Sequence, residues 1–255
     1  MSAKAATVGK RPQNISDEEW QVRVDLAAAY RLVAHFGWDD LIFTHLSARV
    51  PGGDHHFLIN PYGLMFHEIT ASSLVKIDQE GTIVEDNGYS VNPAGFTIHS
   101  AIHMAREDAG CVMHLHNHAG TAVSAQKCGL LPITQTGMLV YNRIAYHEYE
   151  GVALNLDERE RIVRDMGDKD IMILRNHGTL TIGKSVPEAF TLMYFLENAC
   201  EKQIRAQAAG ELYFPPQEAI DTTREQSEAG LTQVAPLIWP GLIRTLDAKD
   251  PTYKT

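Results

Sequence analysis

The sequence is poor in the features that mark membrane-bound, secreted and nucleic-acid-binding proteins. No stretch approaches the roughly 20 apolar residues that cross a bilayer, and the first 14 residues hold no apolar run typical of a signal peptide. Only three cysteines occur, at 111, 128 and 200, and such an odd, widely spaced set predicts free thiols. Basic residues are outnumbered by acidic ones, 22 to 32, so the net charge of −10 makes nucleic acid and anionic membranes poor partners.

These absences leave a globular, cytoplasmic protein as the expectation. The chain has 255 residues, with an ordinary hydrophobic content of 44% and charged content of 21%. We predict a disordered segment over residues 1–14, one domain over 15–210, and a tail over 211–255. This tail is expected to pack on the domain or on a neighbouring subunit.

Hydrophobic patterns predict strands in the middle of the chain, with helices before, between and after them. Capping boxes at Ser16 and Ser185 open two helices, which Gly37 and Gly210 end. Further patterns predict strands at 41–50, 57–59, 74–78, 82–85, 111–115, 171–174 and 179–182, and helices at 96–106, 119–127 and 158–166. This order predicts a single α/β sandwich.

Three of the 12 histidines form a candidate metal site. His114 and His116 flank one apolar residue in a predicted strand, so both rings point to the same face. His177 could supply a third imidazole, because the adjacent Gly178 lets the backbone come close. Three protein ligands and one open position are typical of a catalytic metal. Zinc is the default, and iron and manganese remain open; ordinary packed histidines are the alternative.

The other histidines are more ambiguous. His118 is a fourth ligand, a hydrogen-bond donor behind the ligands, a pocket wall or a solvent-facing residue at a helix start. His99 and His103 have the i, i+4 spacing that can chelate a metal on a helix. Without a third partner, structural packing is the preferred interpretation for this pair.

The sequence resembles the class II aldolase/adducin family over residues 20–210. The resemblance rests on FTHLSAR at 43–49, LINPYG at 58–63, VMHLH at 112–116 and RNHG at 175–178. Segments TASSLVKID at 70–78, AGFTIHSAI at 94–102, KCGLLPI at 127–133 and AYHEY at 145–149 are similar to the adducin head-like branch. The resemblance implies a three-layer α/β/α sandwich with a mostly antiparallel central sheet, and a homo-oligomer, with a tetramer favoured. It also implies that His114, His116 and His177 are the metal ligands.

The sequence departs from the family aldolases where they bind phosphate. Segment 93–95 reads Pro-Ala-Gly where the resemblance implies two phosphate-binding serines and a catalytic glutamate. His45 replaces an asparagine, and Tyr62 replaces a threonine. A phosphorylated substrate is therefore not expected. By their positions in the family pattern, His45, Asn60 and Gly63 are predicted to bind substrate.

Loss of the glutamate leaves proton transfer to another group, for which His118, Tyr62 and Tyr141 are the candidates. The prediction is a metal-dependent carbon–carbon lyase, of aldolase or decarboxylase type, acting on a non-phosphorylated small molecule. That substrate is a hydroxy-carbonyl or hydroxy-acid cleaved through a metal-stabilised enolate. Decarboxylation needs no base to deprotonate a hydroxyl, so it tolerates this loss better. The alternatives are a non-catalytic adducin-like scaffold and an iron-dependent oxygenase that uses the same three histidines.

Overall fold

A seven-stranded sheet forms the middle layer of the molecule. The computed structural model describes residues 11–12, 14–53, 55–151, 157–228 and 230–255. Within them the strand order is β3-β2-β1-β4-β7-β6-β5. The strands are β1 (His45–Arg49), β2 (Phe57–Ile59), β3 (Val75–Ile77), β4 (Cys111–Leu115), β5 (Ile144–His147), β6 (Ile171–Leu174) and β7 (Gly178–Gly183). Only β5 and β6 pair in parallel, which confirms the predicted, mostly antiparallel sheet.

The described residues also form eight α-helices. They are α1 (Asp17–Phe36), α2 (Pro93–Ala105), α3 (His118–Ser124), α4 (Gln135–Tyr141), α5 (Glu158–Met166), α6 (Val186–Ala209), α7 (Gln217–Glu228) and α8 (Ala235–Asp247). The predicted caps are confirmed, since the Ser16 hydroxyl accepts from Glu19 N at 3.1 Å and that of Ser185 from Glu188 N at 3.4 Å. Gly37 ends α1 with a left-handed φ of 70°, a conformation that glycine adopts without strain.

Alternating side chains bury both faces of the sheet. On one face, Leu46 of β1 and Met113 of β4 join a core with α1, α6 and α8, which continues as a second cluster beneath α3 and α4. On the other face, Val112 and Ile182 join a core with α2 and α5. Since central strands such as β4 and β6 contribute side chains to both faces, the fold has three layers, and the predicted α/β/α sandwich is confirmed.

Some predicted elements differ from the structure. The strand predicted over 41–50 begins only at His45, because Leu41 and Thr44 have left-handed φ values of 53° and 66°. The strand predicted over 82–85 is reduced to a single bridge between Ile77 and Ile83. Strand β5 and helices α4, α7 and α8 were not predicted.

The last part of the tail contacts its own chain. Trp239 Nε1 on α8 donates to Asp25 Oδ1 on α1 at 2.9 Å, and Ala71 N donates to Tyr253 O at 2.8 Å. The boundaries at 15–210 and 211–255 stay predictions, as does disorder over 1–14, most of which lies outside the described residues. Among the helices described, none has the length and apolar character needed to span a bilayer.

Candidate metal centre

The structure brings the three predicted histidine ligands together at one end of the sheet. His114 lies in β4, His116 follows directly after it, and His177 lies in the turn between β6 and β7. One ring nitrogen from each lies within 4.8 Å of the others. The ring centroids are 4.7, 4.8 and 5.0 Å apart. This spacing leaves room for one ion between three convergent nitrogens.

The turn that carries His177 explains how it approaches the other two. A Cβ atom on Gly178 would lie 2.4 Å from the carbonyl oxygen of Leu115 and 3.1 Å from Cδ2 of His116. Only glycine therefore fits without a backbone shift. Asn176, on the other side of His177, takes a left-handed φ of 57°, which asparagine tolerates better than most residues.

Hydrogen bonds orient two of the three rings. His114 Nδ1 lies 3.0 Å from the carbonyl oxygen of Thr179, which can only accept, so Nδ1 carries the hydrogen. His116 Nδ1 lies 2.9 Å from Asp40 Oδ2 and donates to it. The Nε2 atom of each ring is thus left with a lone pair, and that of His116 is buried without a hydrogen-bond partner. A ring held through Nδ1 with a bare Nε2 is the usual arrangement of a metal-ligating histidine, so the residues present fit a divalent metal.

The electrostatics of the group also favour neutral rings. Burial, reinforced by His177 and His116, holds the pKa of His114 well below its ordinary value. Burial and then His116 lower the pKa of His177 to about 4. At neutral pH both rings are unprotonated, which is the form that binds a metal.

The predicted substrate-binding residues are distributed over both faces of the sheet. His45 pairs with His114 across β1 and β4, and burial followed by His116 lowers its pKa to about 4. Asn60 is buried, and its Oδ1 accepts from Tyr30 Oη at 2.9 Å. A role for Asn60 in substrate binding stays a prediction. Gly63 lies in a turn with a φ of 100°.

The predicted acid–base candidates are all exposed. His118 begins α3 and lines a cavity of about 630 Å³ together with Trp38, Tyr194 and Glu197. Tyr62 and Tyr141 are 42% and 39% exposed. Within the described residues, no ring contact or hydrogen bond links these three side chains to the three-histidine group.

Sequence reasoning missed two residues beside the site. Asp40 binds His116 but lies 76 residues before it in the chain, so no local pattern could have paired them. The ring of Tyr149 lies 6.4 Å from that of His177. Tyr149 ends the AYHEY segment at 145–149, but no pattern assigned it to the site. The Pro-Ala-Gly segment at 93–95 begins α2, but its side chains lie outside the described residues.

A family model for the class II aldolase and adducin N-terminal domain matches residues 24–204. The chain belongs to this family. Its sequence is 55% identical to an aldolase II superfamily protein from Pseudomonas syringae, whose crystal structure superposes with a TM-score of 0.92 over 95% of this chain and 98% of that one. The L-fuculose 1-phosphate aldolase from Glaciozyma antarctica is 30% identical, with a TM-score of 0.80 over 97% and 99% of the two chains.

Adducins are relatives as well. Alpha-adducin of Rattus norvegicus is 48% identical over 191 residues, which cover 74% of this chain but 26% of alpha-adducin. These comparisons confirm the family resemblance seen in the sequence, including the similarity to adducins. Since the family holds both aldolases and adducins, the choice between catalysis and a scaffold depends on the site.

Proposed function

We propose that this protein is a metal-dependent carbon–carbon lyase of aldolase or decarboxylase type. The observation that carries the proposal is the three-histidine group, in which His116 Nε2 is buried without a partner and faces two further imidazoles. An unsatisfied buried nitrogen is costly, and a metal ion removes that cost. We propose zinc as the metal, with iron and manganese as alternatives.

A divalent metal held by neutral imidazoles keeps its full charge, and it would stabilise the enolate formed when the carbon–carbon bond breaks. The protein's own contribution is to fix the ligands. The Thr179 carbonyl and Asp40 hold the rings of His114 and His116 in one tautomer. For proton transfer we propose His118, Tyr62 and Tyr141 from the sequence and add Tyr149, whose ring is near His177.

A substrate without phosphate is supported by the charge near the site. His45 stands where family aldolases contact phosphate, and its lowered pKa of about 4 means that it carries no positive charge at neutral pH. Pro93 has no backbone N–H to offer. We therefore propose a hydroxy-carbonyl or hydroxy-acid substrate, bound by a homo-oligomer, with a tetramer favoured.

The adducin-like scaffold is the second candidate, supported by the 48% identity to alpha-adducin. It gives no reason for three buried or half-buried imidazoles to converge, two of them with fixed tautomers. An iron-dependent oxygenase would use the same ligands, and it differs from a lyase in consuming oxygen.

Metal analysis tests the proposal. The protein is purified without added metal, and its metal content is measured by mass spectrometry for the wild type, His116→Ala and the control His67→Ala. His67 is exposed and lies outside the group. We expect about one metal per chain in the wild type and the control, and loss in His116→Ala. A metal-free wild type contradicts the proposal.

With metal present, a panel of hydroxy-acids and hydroxy-ketones is scored for aldehyde release, carbon dioxide release and oxygen uptake. Aldehyde or carbon dioxide without oxygen uptake supports a lyase. Oxygen uptake supports the oxygenase, and no turnover of any kind favours the scaffold. Sedimentation of the same samples gives the oligomeric state.

A further inference from the structure

A second pair of histidines lies beside the metal centre and shares one serine. His99 and His103 project from α2 towards Ser47 of β1. Ser47 Oγ lies 2.6 Å from His99 Nδ1 and 2.7 Å from His103 Nε2. His103 Nδ1 lies 3.0 Å from the carbonyl oxygen of Ala109. All four residues are buried, so this chain of hydrogen bonds is shielded from water.

The direction of each of these three hydrogen bonds follows from the one that ends at the Ala109 carbonyl. The Ala109 carbonyl can only accept, so His103 Nδ1 carries a hydrogen and its Nε2 has a lone pair. Ser47 must then donate its only hydrogen to His103. The Ser47 oxygen is left to accept from His99, whose Nδ1 therefore carries a hydrogen. In a neutral ring, this leaves His99 Nε2 as a hydrogen-bond acceptor.

Both rings are in surroundings that disfavour the charged form. Burial lowers the pKa of His103 to about 3. Burial, followed by the neighbouring His45 and His103, holds the pKa of His99 well below its ordinary value. The ion pairs of the described residues include no carboxylate bound to either ring; those with histidine involve His116 and His147.

The free edge of His99 is next to another unsatisfied histidine. Its Nε2 is buried without a hydrogen-bond partner, and so is Nε2 of His45. The two rings are nearly perpendicular, with centroids 6.0 Å apart, which is too far for a direct ring-to-ring hydrogen bond within the measured geometry. His45 is also the cross-strand partner of His114. A buried acceptor without a donor costs free energy, so a group that can donate is needed here.

We propose that His99 and His45 form a subsite for a substrate hydroxyl, and that His103 and Ser47 hold His99 as its acceptor. A hydroxyl can donate to His99 Nε2, whereas a carboxylate or phosphate oxygen can only accept and would be repelled by the His99 lone pair. The subsite therefore selects a neutral, hydroxylated end of the substrate. This inference rests on the proposed function, because it adds a second contact to a substrate bound at the metal centre.

A neutron crystal structure of the deuterium-exchanged protein tests the hydrogen-bond chain directly. We expect deuterium on Nδ1 of both His99 and His103, on the Ser47 hydroxyl towards His103, and none on His99 Nε2. Deuterium on His99 Nε2 overturns the proposal. These positions need no metal, so a metal-free protein would defeat the proposed function without deciding the state of His99.

Calorimetry of the zinc-loaded protein tests the hydroxyl contact with two probes. Dihydroxyacetone and hydroxyacetone both offer a hydroxyl-carbonyl pair to the metal, and they differ by one further hydroxyl. We expect dihydroxyacetone to bind about tenfold more tightly, the effect of one buried hydrogen bond. His99→Phe keeps a ring in place but removes the acceptor, so it should abolish this preference and leave hydroxyacetone binding unchanged.

His67→Phe is the matched control, because His67 is exposed, and it should retain the tenfold preference. Zinc content and thermal unfolding of His99→Phe are measured alongside, so that a folded, loaded variant is compared. Equal affinities for the two probes in the wild type overturn the proposal, as does a preference that persists in His99→Phe.

Discussion

Buried imidazole rings occur both in the metal centre and at His147, but the groups around them differ. His147, at the end of β5, has Asp165 Oδ2 at 2.8 Å from Nδ1, and Glu158 Oε1 at 3.4 Å from Nε2. In the metal centre, three imidazoles face one another, and the one carboxylate, Asp40, contacts only the outer edge of His116. Carboxylate oxygens can only accept hydrogen bonds, whereas the facing nitrogens of neutral imidazoles are themselves acceptors. The second arrangement brings three acceptor nitrogens to one point, which a cation would satisfy.

The largest expected effect comes from removing the close approach that distinguishes the metal centre. Gly178→Ala would place a Cβ atom 2.4 Å from the Leu115 carbonyl oxygen. We expect the backbone to shift, the free energy of unfolding to fall by about 3 kcal/mol, and metal content to drop. Urea unfolding and metal analysis measure the two effects. Gly53→Ala is the control, because nothing lies within 4 Å of its Cβ position; equal losses in both variants would contradict the explanation.

Replacing Asp40 and Asp165 one at a time tests the difference between the two histidine environments. Asp40→Asn weakens the acceptor that orients His116, and we expect metal affinity to fall by about 10- to 100-fold. Asp165→Asn makes the matching change at His147, and it should lower stability while leaving metal affinity unchanged. Competition with a coloured chelator measures the affinity. If both variants lose affinity alike, the distinction between the two histidine environments is wrong.

The effect expected to be smallest at neutral pH is a change in how stability depends on pH. The folded pKa of His103 is about 3, and the unfolded value is about 6.5. Below pH 6.5 the unfolded chain therefore binds a proton that the folded chain does not, so stability falls as pH drops from about 6.5 towards 3. In metal-free protein, His103→Gln should reduce this slope by about 1.4 kcal/mol per pH unit.

Urea unfolding at a series of pH values between 4 and 7 (a range chosen inside that window) gives the slope for each variant. His67→Gln, a change at an exposed histidine, should leave the slope as in the wild type. A His103→Gln slope equal to that of the wild type would mean that His103 is protonated in the folded chain.

Much of the fold could be predicted because its signals are local. The cap at Ser16 and the run of apolar residues in β4 need only neighbouring residues to be recognised. Strand β5 was missed because it is short and lies at the edge of the sheet, pairing only with β6. Helix α8 was missed because Pro240, normally a helix breaker, lies inside it.

Part of the candidate site could also be predicted from local patterns, and part could not. The i, i+2 spacing of His114 and His116 predicted a shared direction, and the structure brings both to His177. Asp40 could not be predicted, because its contact depends on how the segment before β1 folds across the end of β4. The same holds for the state of His99, which is set by a carbonyl group at Ala109 through two intervening side chains.

The pairing of β1 with β4 fixes the position of the hydroxyl subsite relative to the metal centre. His45 pairs with His114 and Ser47 with Val112, so the subsite lies beside the metal ligands in only one strand register. A slip of one residue would turn His45 and Ser47 into the α1 core and bring Leu46 to the site. Chains with that error would keep His114, His116 and His177 together but lose the hydroxyl subsite, so the preference between the two probes, and not bound metal, reports the native register of β1.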